Sequence, residues 1–252
     1  MDVKTFHFFV YAWMAFGVLL LPILLKIPAP YGRHSRPGWG FTVPAHWGWF
    51  VMEIPALAVF VSFFLTGSNR QSAVTWLFFS LWLLHYTNRT LFFPFRIRTQ
   101  EKRMPVLIVM MGFAFNFFNG FFNGYYFGFL AGDYPLGWFF DFRFILGAFL
   151  FLFGAGMNLW SDTVLIRLRN SGQKNYSIPY GGLFRYVSCP NYFGEIVEWG
   201  GFALMVWSLP ALSFFIWTVV NLIPRALDHH RWYTEQFEDY PDRRRALIPF
   251  LL

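Results

Sequence analysis

The chain has 252 residues, of which 56% are hydrophobic, 24% aromatic and only 13% charged, with 36 Phe and 12 Trp. No water-facing surface absorbs that much apolar side chain, so a disordered chain, a nucleic-acid-binding domain and a soluble enzyme with a large core are excluded, and the sequence reads as a membrane protein. The net charge of +7 must then be explained by topology, and the one cysteine, Cys189, excludes a disulfide framework or a multi-cysteine metal site.

Charges, Pro and Gly punctuate seven apolar stretches of bilayer-crossing length, at residues 6–25, 47–65, 73–93, 105–131, 139–160, 192–207 and 209–226. The first starts almost at the initiator Met and is long enough to cross, so it is read as a retained helix rather than a signal peptide. The last two are separated by Ser208-Leu209-Pro210, a tight hairpin. An odd number of spans puts the termini on opposite sides. Of the Lys and Arg residues, 17 fall in one alternating set of connecting segments and 3 in the other, namely Lys4, Arg70 and Arg143. The basic set belongs in the cytoplasm. The expected fold is therefore an all-α integral membrane protein with seven transmembrane helices, N-terminus outside and C-terminus cytoplasmic. It forms one membrane domain over 1–252, in which 1–131 supplies much of the substrate side and 132–252 most of the cofactor side.

Ionisable groups inside a span are costly and mark candidate sites. Glu53 lies in the second stretch, two residues before Pro55. The third ends in the polar run His85-Tyr86-Thr87-Asn88-Arg89-Thr90. Asn158 and Asp162 close the fifth, ahead of Arg167 and Arg169. The sixth opens with Pro190-Asn191-Tyr192-Phe193-Gly194-Glu195 and carries Glu198 one turn on. Asp228-His229-His230-Arg231-Trp232-Tyr233 comes after the last. Each has a plain explanation, as a structural carboxyl beside an Arg, an interface anchor or a solvated helix end. Five clusters on one membrane side point instead to a polar cavity opening to the cytoplasm.

The motifs narrow the chemistry. No Walker A loop is present, and Gly38-Trp39-Gly40 lacks the third glycine and the setting of a dinucleotide fingerprint. No Gly-x-Ser-x-Gly elbow or His-Glu-x-x-His pair occurs, and His229 and His230, being adjacent, point to different helix faces, so no metal site is expected. What remains is a charged soluble molecule held by Arg, Asn and Asp, with a Tyr and a Glu deeper in the membrane. That arrangement fits reduction of a lipid ketone or enone by a bound hydride donor.

The runs Asn158-Leu159-Trp160-Ser161-Asp162, Tyr176-Ser177-Ile178-Pro179-Tyr180-Gly181-Gly182-Leu183-Phe184-Arg185-Tyr186, Asn191-Tyr192-Phe193-Gly194-Glu195-Ile196-Val197-Glu198-Trp199 and His230-Arg231-Trp232-Tyr233 to Ala246-Leu247-Ile248-Pro249-Phe250 resemble, in order, the steroid 5α-reductase family. Sparser likeness runs through Tyr31-Gly32-Arg33-His34, Glu53-Ile54-Pro55, the hexamer around Tyr86, and Gly124-Tyr125-Tyr126. The resemblance implies a seven-helix enzyme that uses NADPH to reduce the C4–C5 double bond of 3-oxo-Δ4 steroids. It makes Tyr86 the donor to the 3-oxo oxygen with Glu53 beside it, and a protonated Glu53 would suit that role. It places substrate against Trp49, Met52, Glu53 and Tyr86. It carries over Arg98, Arg103, Asn158, Asp162, Arg169, Tyr176, Asn191, Glu195, His229 and Tyr233 as cofactor contacts, and arginine forks for a 2′-phosphate favour NADPH over NADH.

The sequence departs from the family pattern at Met52, where Gln is common, at Ser177 and at Asp228. Membrane lipid and a lipid-soluble steroid or related enone are the expected partners, with no nucleic acid and no obligate protein partner, so that a monomer suffices. The membrane is a bacterial inner membrane or the endoplasmic reticulum, with the cofactor site facing the cytoplasm. Rival readings are a related enone or trans-2-enoyl thioester reductase, a membrane methyltransferase using S-adenosylmethionine, and a sterol-binding protein without turnover.

Overall fold

The computed structural model describes residues 1–34, 36–69, 72–96, 102–170 and 176–252. Its helices are α1 (Val3–Lys26), α2 (Ala45–Thr66), α3 (Ala73–Thr87), the single-turn α4 (Phe93–Arg96), α5 (Val106–Tyr125), α6 (Phe142–Asn170), α7 (Pro190–Val206) and α8 (Leu209–Gln236). A π-helical turn, Asn88–Phe92, carries α3 without a break into α4, and another, Tyr126–Leu130, extends α5. Among the described residues five helices are long and apolar enough to cross a membrane: α1, α2, α5 with its extension, α6 and α8. The other two stretches expected to span are the 15-residue α3 and the 17-residue α7.

Two helices outrun the sequence expectation. α6 continues past residue 160 to Asn170, and α8 past 226 to Gln236. Asp162, Arg167, Arg169 and the Asp228–Arg231 run end the apolar character without ending the helix, because a polar side chain leaves the backbone hydrogen bonds intact and arginine is a good helix former. Strand β1 (Thr42–Pro44) and strand β2 (Arg103–Pro105), absent from the expected all-α fold, pair antiparallel with Val43 opposite Met104. Each strand ends in a proline that is the N-cap of the next helix, Pro44 for α2 and Pro105 for α5, so the ladder fixes the starts of these two helices level with each other.

The chain divides into two compact units. The first comprises Met1–Val10, Ala29–Ile145 and Ser208–Ala211. Here α2 and α5 meet backbone to backbone. Gly120, Gly124 and Gly128 recur every four residues and so share one face of the α5 rod, and a Cβ on Gly124 would fall 2.7 Å from the Phe60 carbonyl oxygen. The aromatic wealth of the sequence fills the remainder: Phe60, Phe64, Phe78, Trp82 and Phe127 are completely buried, with Trp82 stacked on Phe60 at 4.5 Å.

The second unit comprises Tyr11–Pro28, Leu146–Trp207 and Leu212–Leu252. Gly147 and Gly154 on α6 face Gly201 and Gly194 on α7, again with no room for a side chain between the backbones. The two glycines on each helix stand seven residues apart, two turns, so they stack on one face. Trp217 of α8 stacks on Trp13 of α1 at 4.6 Å and donates its indole N–H to the Trp13 carbonyl at 3.1 Å. Gly17 leaves the space that Trp217 fills. α7 ends at Trp207, whose φ of 53° reverses the chain into the expected hairpin.

Candidate active site

In the first unit, α5 bonds both Glu53 of α2 and Tyr86 of α3. Glu53 is 8% exposed on α2, two residues before Pro55, which lacks the N–H that Val51 would otherwise receive. Asn116 of α5 donates through Nδ2 to the Met52 carbonyl at 2.7 Å and to Glu53 Oε2 at 3.3 Å. One turn further along α5, Asn119 Nδ2 donates to the Tyr86 hydroxyl oxygen at 2.9 Å. Asn123 Nδ2 in turn donates to Asn119 Oδ1 at 3.1 Å. All three asparagines are buried. Trp82, one turn before Tyr86, lies 4.9 Å from its ring and donates its indole N–H to the Ala56 carbonyl, which locks α3 against α2.

The residues expected around the substrate sit along this part of α2. Met52 is buried with Met104 and Val109, and Trp49 packs against that cluster. The Trp49 ring is edge-on to Tyr31 at 5.9 Å and lies under the Arg89 guanidinium at 5.5 Å. Two cofactor assignments also fall in this stretch of chain. Arg98 lies outside the described residues. The exposed Arg103 spends its fork on Thr42, with Nε 2.7 Å from Oγ1 and Nη2 2.6 Å from the backbone oxygen, so it ties β2 to β1.

In the second unit, four predicted residues form one network. Asn158 and Asp162 stand four apart on α6, Asn191 and Glu195 four apart on α7, and each pair therefore shares a helix face. Asn158 Nδ2 donates to the Asn191 carbonyl at 3.0 Å and to Glu195 Oε2 at 3.3 Å, while Asn191 Nδ2 donates to Asp162 Oδ1 at 3.1 Å. Gly154 and Gly194 make this possible, because only side-chain-free positions let the two backbones come so close. Arg169 is exposed farther along α6. Tyr192 meets His229 Nε2 through its hydroxyl at 3.1 Å. Tyr176 packs edge-on against Trp232 at 5.0 Å, and the 3%-exposed Tyr233 stacks on Tyr240 at 5.3 Å.

Sequence reasoning passed over several polar groups. Asn116, Asn119 and Asn123 announce themselves by a 3,4 spacing of amides in an otherwise apolar helix, a signal as readable as the carboxylates. Arg244 could not be singled out, since nothing in Arg243-Arg244-Arg245 distinguishes the middle residue. It alone of the three is buried, at 2% exposure, with its guanidinium 5.0 Å over the Tyr180 ring and 5.1 Å over Tyr240. Its Nε and Nη1 have no hydrogen-bond partner among the described residues. Beside it, Ser188 Oγ lies 2.6 Å from the Tyr240 hydroxyl and 2.7 Å from His230 Nδ1, which ties the chain after α8 to the approach to α7. Burial pushes the Tyr240 hydroxyl above its ordinary range, so it stays protonated beside that arginine.

A nicotinamide dinucleotide needs cationic forks for its phosphates and amide or carboxylate partners for its hydroxyls and carboxamide. The second unit offers both kinds: a buried guanidinium with two open donors, the exposed Arg167 and Arg169, and the Asn158–Asp162–Asn191–Glu195 network. The residues present therefore fit such a group. No cluster of metal-binding side chains occurs among the described residues.

Comparison with known proteins agrees with the resemblance in the motifs. The family described as 3-oxo-5-alpha-steroid 4-dehydrogenase matches residues 102–252. The chain is 40% identical over 257 residues to steroid 5-alpha-reductase DET2 of Gossypium hirsutum, covering 99% of this chain and 98% of that one. It is 40% identical to 3-oxo-5-alpha-steroid 4-dehydrogenase 1 of Bos taurus, over 96% of this chain and 95% of that protein. With 3-oxo-5-alpha-steroid 4-dehydrogenase 2 of Homo sapiens the identity is 41%, over 94% of this chain and 93% of the relative.

Proposed function

The chain belongs to the 3-oxo-5-alpha-steroid 4-dehydrogenase family of oxidoreductases, and from that premise we propose that it reduces the C4–C5 double bond of 3-oxo-Δ4 steroids with NADPH, as a seven-span membrane enzyme whose cofactor side faces the cytoplasm. The observation that carries the reading is the near-full-length identity of about 40% to proteins named for this reaction. The buried Glu53 and Tyr86, each hydrogen-bonded to α5, support it independently.

When bound, NADPH would be the source of the hydride that C5 accepts. The chain's own residues handle the charge that then develops on the substrate. Negative charge passes through the enone to the 3-oxo oxygen, where the Tyr86 hydroxyl donates a hydrogen bond that is stronger to the developing enolate than to the ketone, which is the difference that speeds the reaction. Glu53, in its protonated form, is a second donor to the same oxygen. A proton entering at C4 completes the saturated ketone, so the substrate gains one hydride and one proton. Arg169 and Arg244 would take phosphate groups. Asn158, Asp162, Asn191 and Glu195, already bonded to one another, present a fixed set of partners to ribose and carboxamide. The apolar steroid reaches the site from the lipid phase.

The test is NADPH oxidation by the purified protein with progesterone or testosterone, combined with mass analysis of the steroid. NADPH-dependent formation of a product two hydrogens heavier is expected. Tight NADPH binding with no reduction of any 3-oxo-Δ4 steroid would remove the substrate assignment and leave the cofactor.

A further inference from the structure

Three amides on the buried face of an apolar helix are expensive unless they are hydrogen-bonded, and Asn116, Asn119 and Asn123 are 4%, 3% and 1% exposed. Spacings of three and four residues put them on one face of α5. Their bonds run in a fixed sense. Asn123 Nδ2 donates to Asn119 Oδ1 at 3.1 Å, which commits the oxygen end of the Asn119 amide and leaves its NH₂ end toward Tyr86, 2.9 Å from the phenol oxygen. An amide N–H only donates, so the phenol oxygen is the acceptor in this bond, and the one proton of Tyr86 is not spent on Asn119.

We propose that Asn119 is a positioning residue that sets the direction of the Tyr86 proton, with Asn123 holding its amide in the required sense. The inference rests on the reading of Tyr86 as the donor to the substrate's 3-oxo oxygen. An acceptor at position 119 would draw the Tyr86 proton to itself, whereas the amide donor turns the proton to the other side of the phenol oxygen. As charge accumulates on the substrate oxygen, the phenol polarises toward it, and the Asn119 N–H bond to the phenol oxygen strengthens in step, because hydrogen bonds in a chain reinforce one another. Asn116 serves Glu53 in the same manner: its N–H bonds engage Oε2 and the Met52 carbonyl and hold the carboxyl in one orientation.

The decisive experiment compares Asn119→Asp and Asn119→Leu with the wild type, all as the full chain in lipid nanodiscs. For each variant kcat, KM for the steroid, the dissociation constant for NADPH and the pH profile are measured. Asn119→Asp offers an acceptor to the phenol and is expected to lower kcat by roughly 100-fold, the scale of one misdirected proton donor. KM and NADPH affinity should stay within a few-fold. Acidification should restore part of that loss relative to wild type, because a protonated carboxyl donates again. Asn119→Leu should lose about 10-fold, with a pH profile parallel to that of the wild type. A merely structural role predicts equal losses and parallel profiles for the two variants, and that result, or a wild-type kcat for Asn119→Asp, overturns the proposal. If Asn119→Asp does not fold, Asn123→Ala frees the Asn119 amide to turn over. A fall in its kcat with NADPH affinity kept then supports the proposal, and an unchanged kcat overturns it. A wild type that reduces no 3-oxo-Δ4 steroid removes the functional reading and this inference with it, whereas an active wild type with indifferent Asn119 variants removes the inference alone.

Discussion

A single hydroxyl separates Tyr86 from phenylalanine, and in the proposed reaction that hydroxyl meets the substrate only where charge develops. Tyr86→Phe should therefore lower kcat at least 100-fold, on the order of what one lost oxyanion donor costs, while the NADPH dissociation constant, measured by binding, stays near the wild-type value. Retained turnover would show that the oxygen is polarised from elsewhere. Arg169 poses the converse case. Exposed near the end of α6, it is one of the proposed phosphate partners, so Arg169→Ala should weaken NADPH binding by about 10-fold. An unchanged affinity would take this residue out of the cofactor site. The sequence exposed Glu53, Tyr86, Asn158, Asp162, Asn191 and Glu195 because each is a polar group in an apolar or motif-bearing run. It did not expose which of them touch: that Asn158 bonds the Asn191 backbone depends on how closely α6 and α7 approach, and that distance is written in Gly154 and Gly194, residues with no polar signal at all.

Those glycines set the energetics at the scale of whole helices. A Cβ on Gly154 would overlap the backbone at Glu198 and Gly194, whereas a Cβ on Gly156, two residues along α6, meets nothing within 4 Å. Gly154→Ala must push two helices apart and should cost about 1–3 kcal/mol as overpacking, read as a lowered Tm in detergent. The matched Gly156→Ala should be neutral or stabilising by up to about 1 kcal/mol, since alanine is the better helix former. Equal effects from both would mean that the backbones do not meet there. The start of α6 offers a pH test. Asp141 accepts from the Arg143 backbone N–H at 2.8 Å and from its guanidinium at 2.9 Å, and these hydrogen bonds hold its carboxyl down to about 2. A carboxyl whose pKa is lowered on folding adds stability above its unfolded value near 3.8, and that stability is lost as the pH falls through about 2. Asp141→Ala should thus lower Tm at pH 6, by a small amount because the pair is partly open to solvent, and the difference from wild type should shrink toward pH 2. Helix existence was legible from apolar run length. The ends of α6 and α8 were not, because charges mark the edge of an apolar phase and a helix passes through that edge intact.

At the scale of the molecule, hydropathy and the Lys and Arg count yield seven crossings with the C-terminus in the cytoplasm, whereas five helices among the described residues meet the length and apolarity of a span. The difference lies in α3 and α7. At 15 residues, α3 alone rises about 22 Å, short of a hydrocarbon core of about 30 Å, but the helical path continues through the π-turn and α4 to Arg96. Composition cannot foresee a π-turn, which is why the sequence places one span where the structure records three consecutive helical segments. Whether α3 and α7 cross is a question of sidedness, and the chain suits a chemical answer because its one cysteine, Cys189, is buried at 3% exposure. Single cysteines at the exposed Ser68, Asp133 and Asp242 can then be probed in intact cells with a membrane-impermeant thiol reagent. If α3 spans, two crossings separate Ser68 from Asp133 and both label from outside. If it does not, only α5 intervenes and the two behave oppositely. Between Asp133 and Asp242 the same logic reports on α7: three crossings leave Asp242→Cys protected until the membrane is permeabilised, and two would leave it labelled alongside Asp133→Cys. The expected pattern is labelling at Ser68→Cys and Asp133→Cys with protection at Asp242→Cys, which also puts the basic loops on the cytoplasmic side, where a soluble phosphate-bearing cofactor would be found.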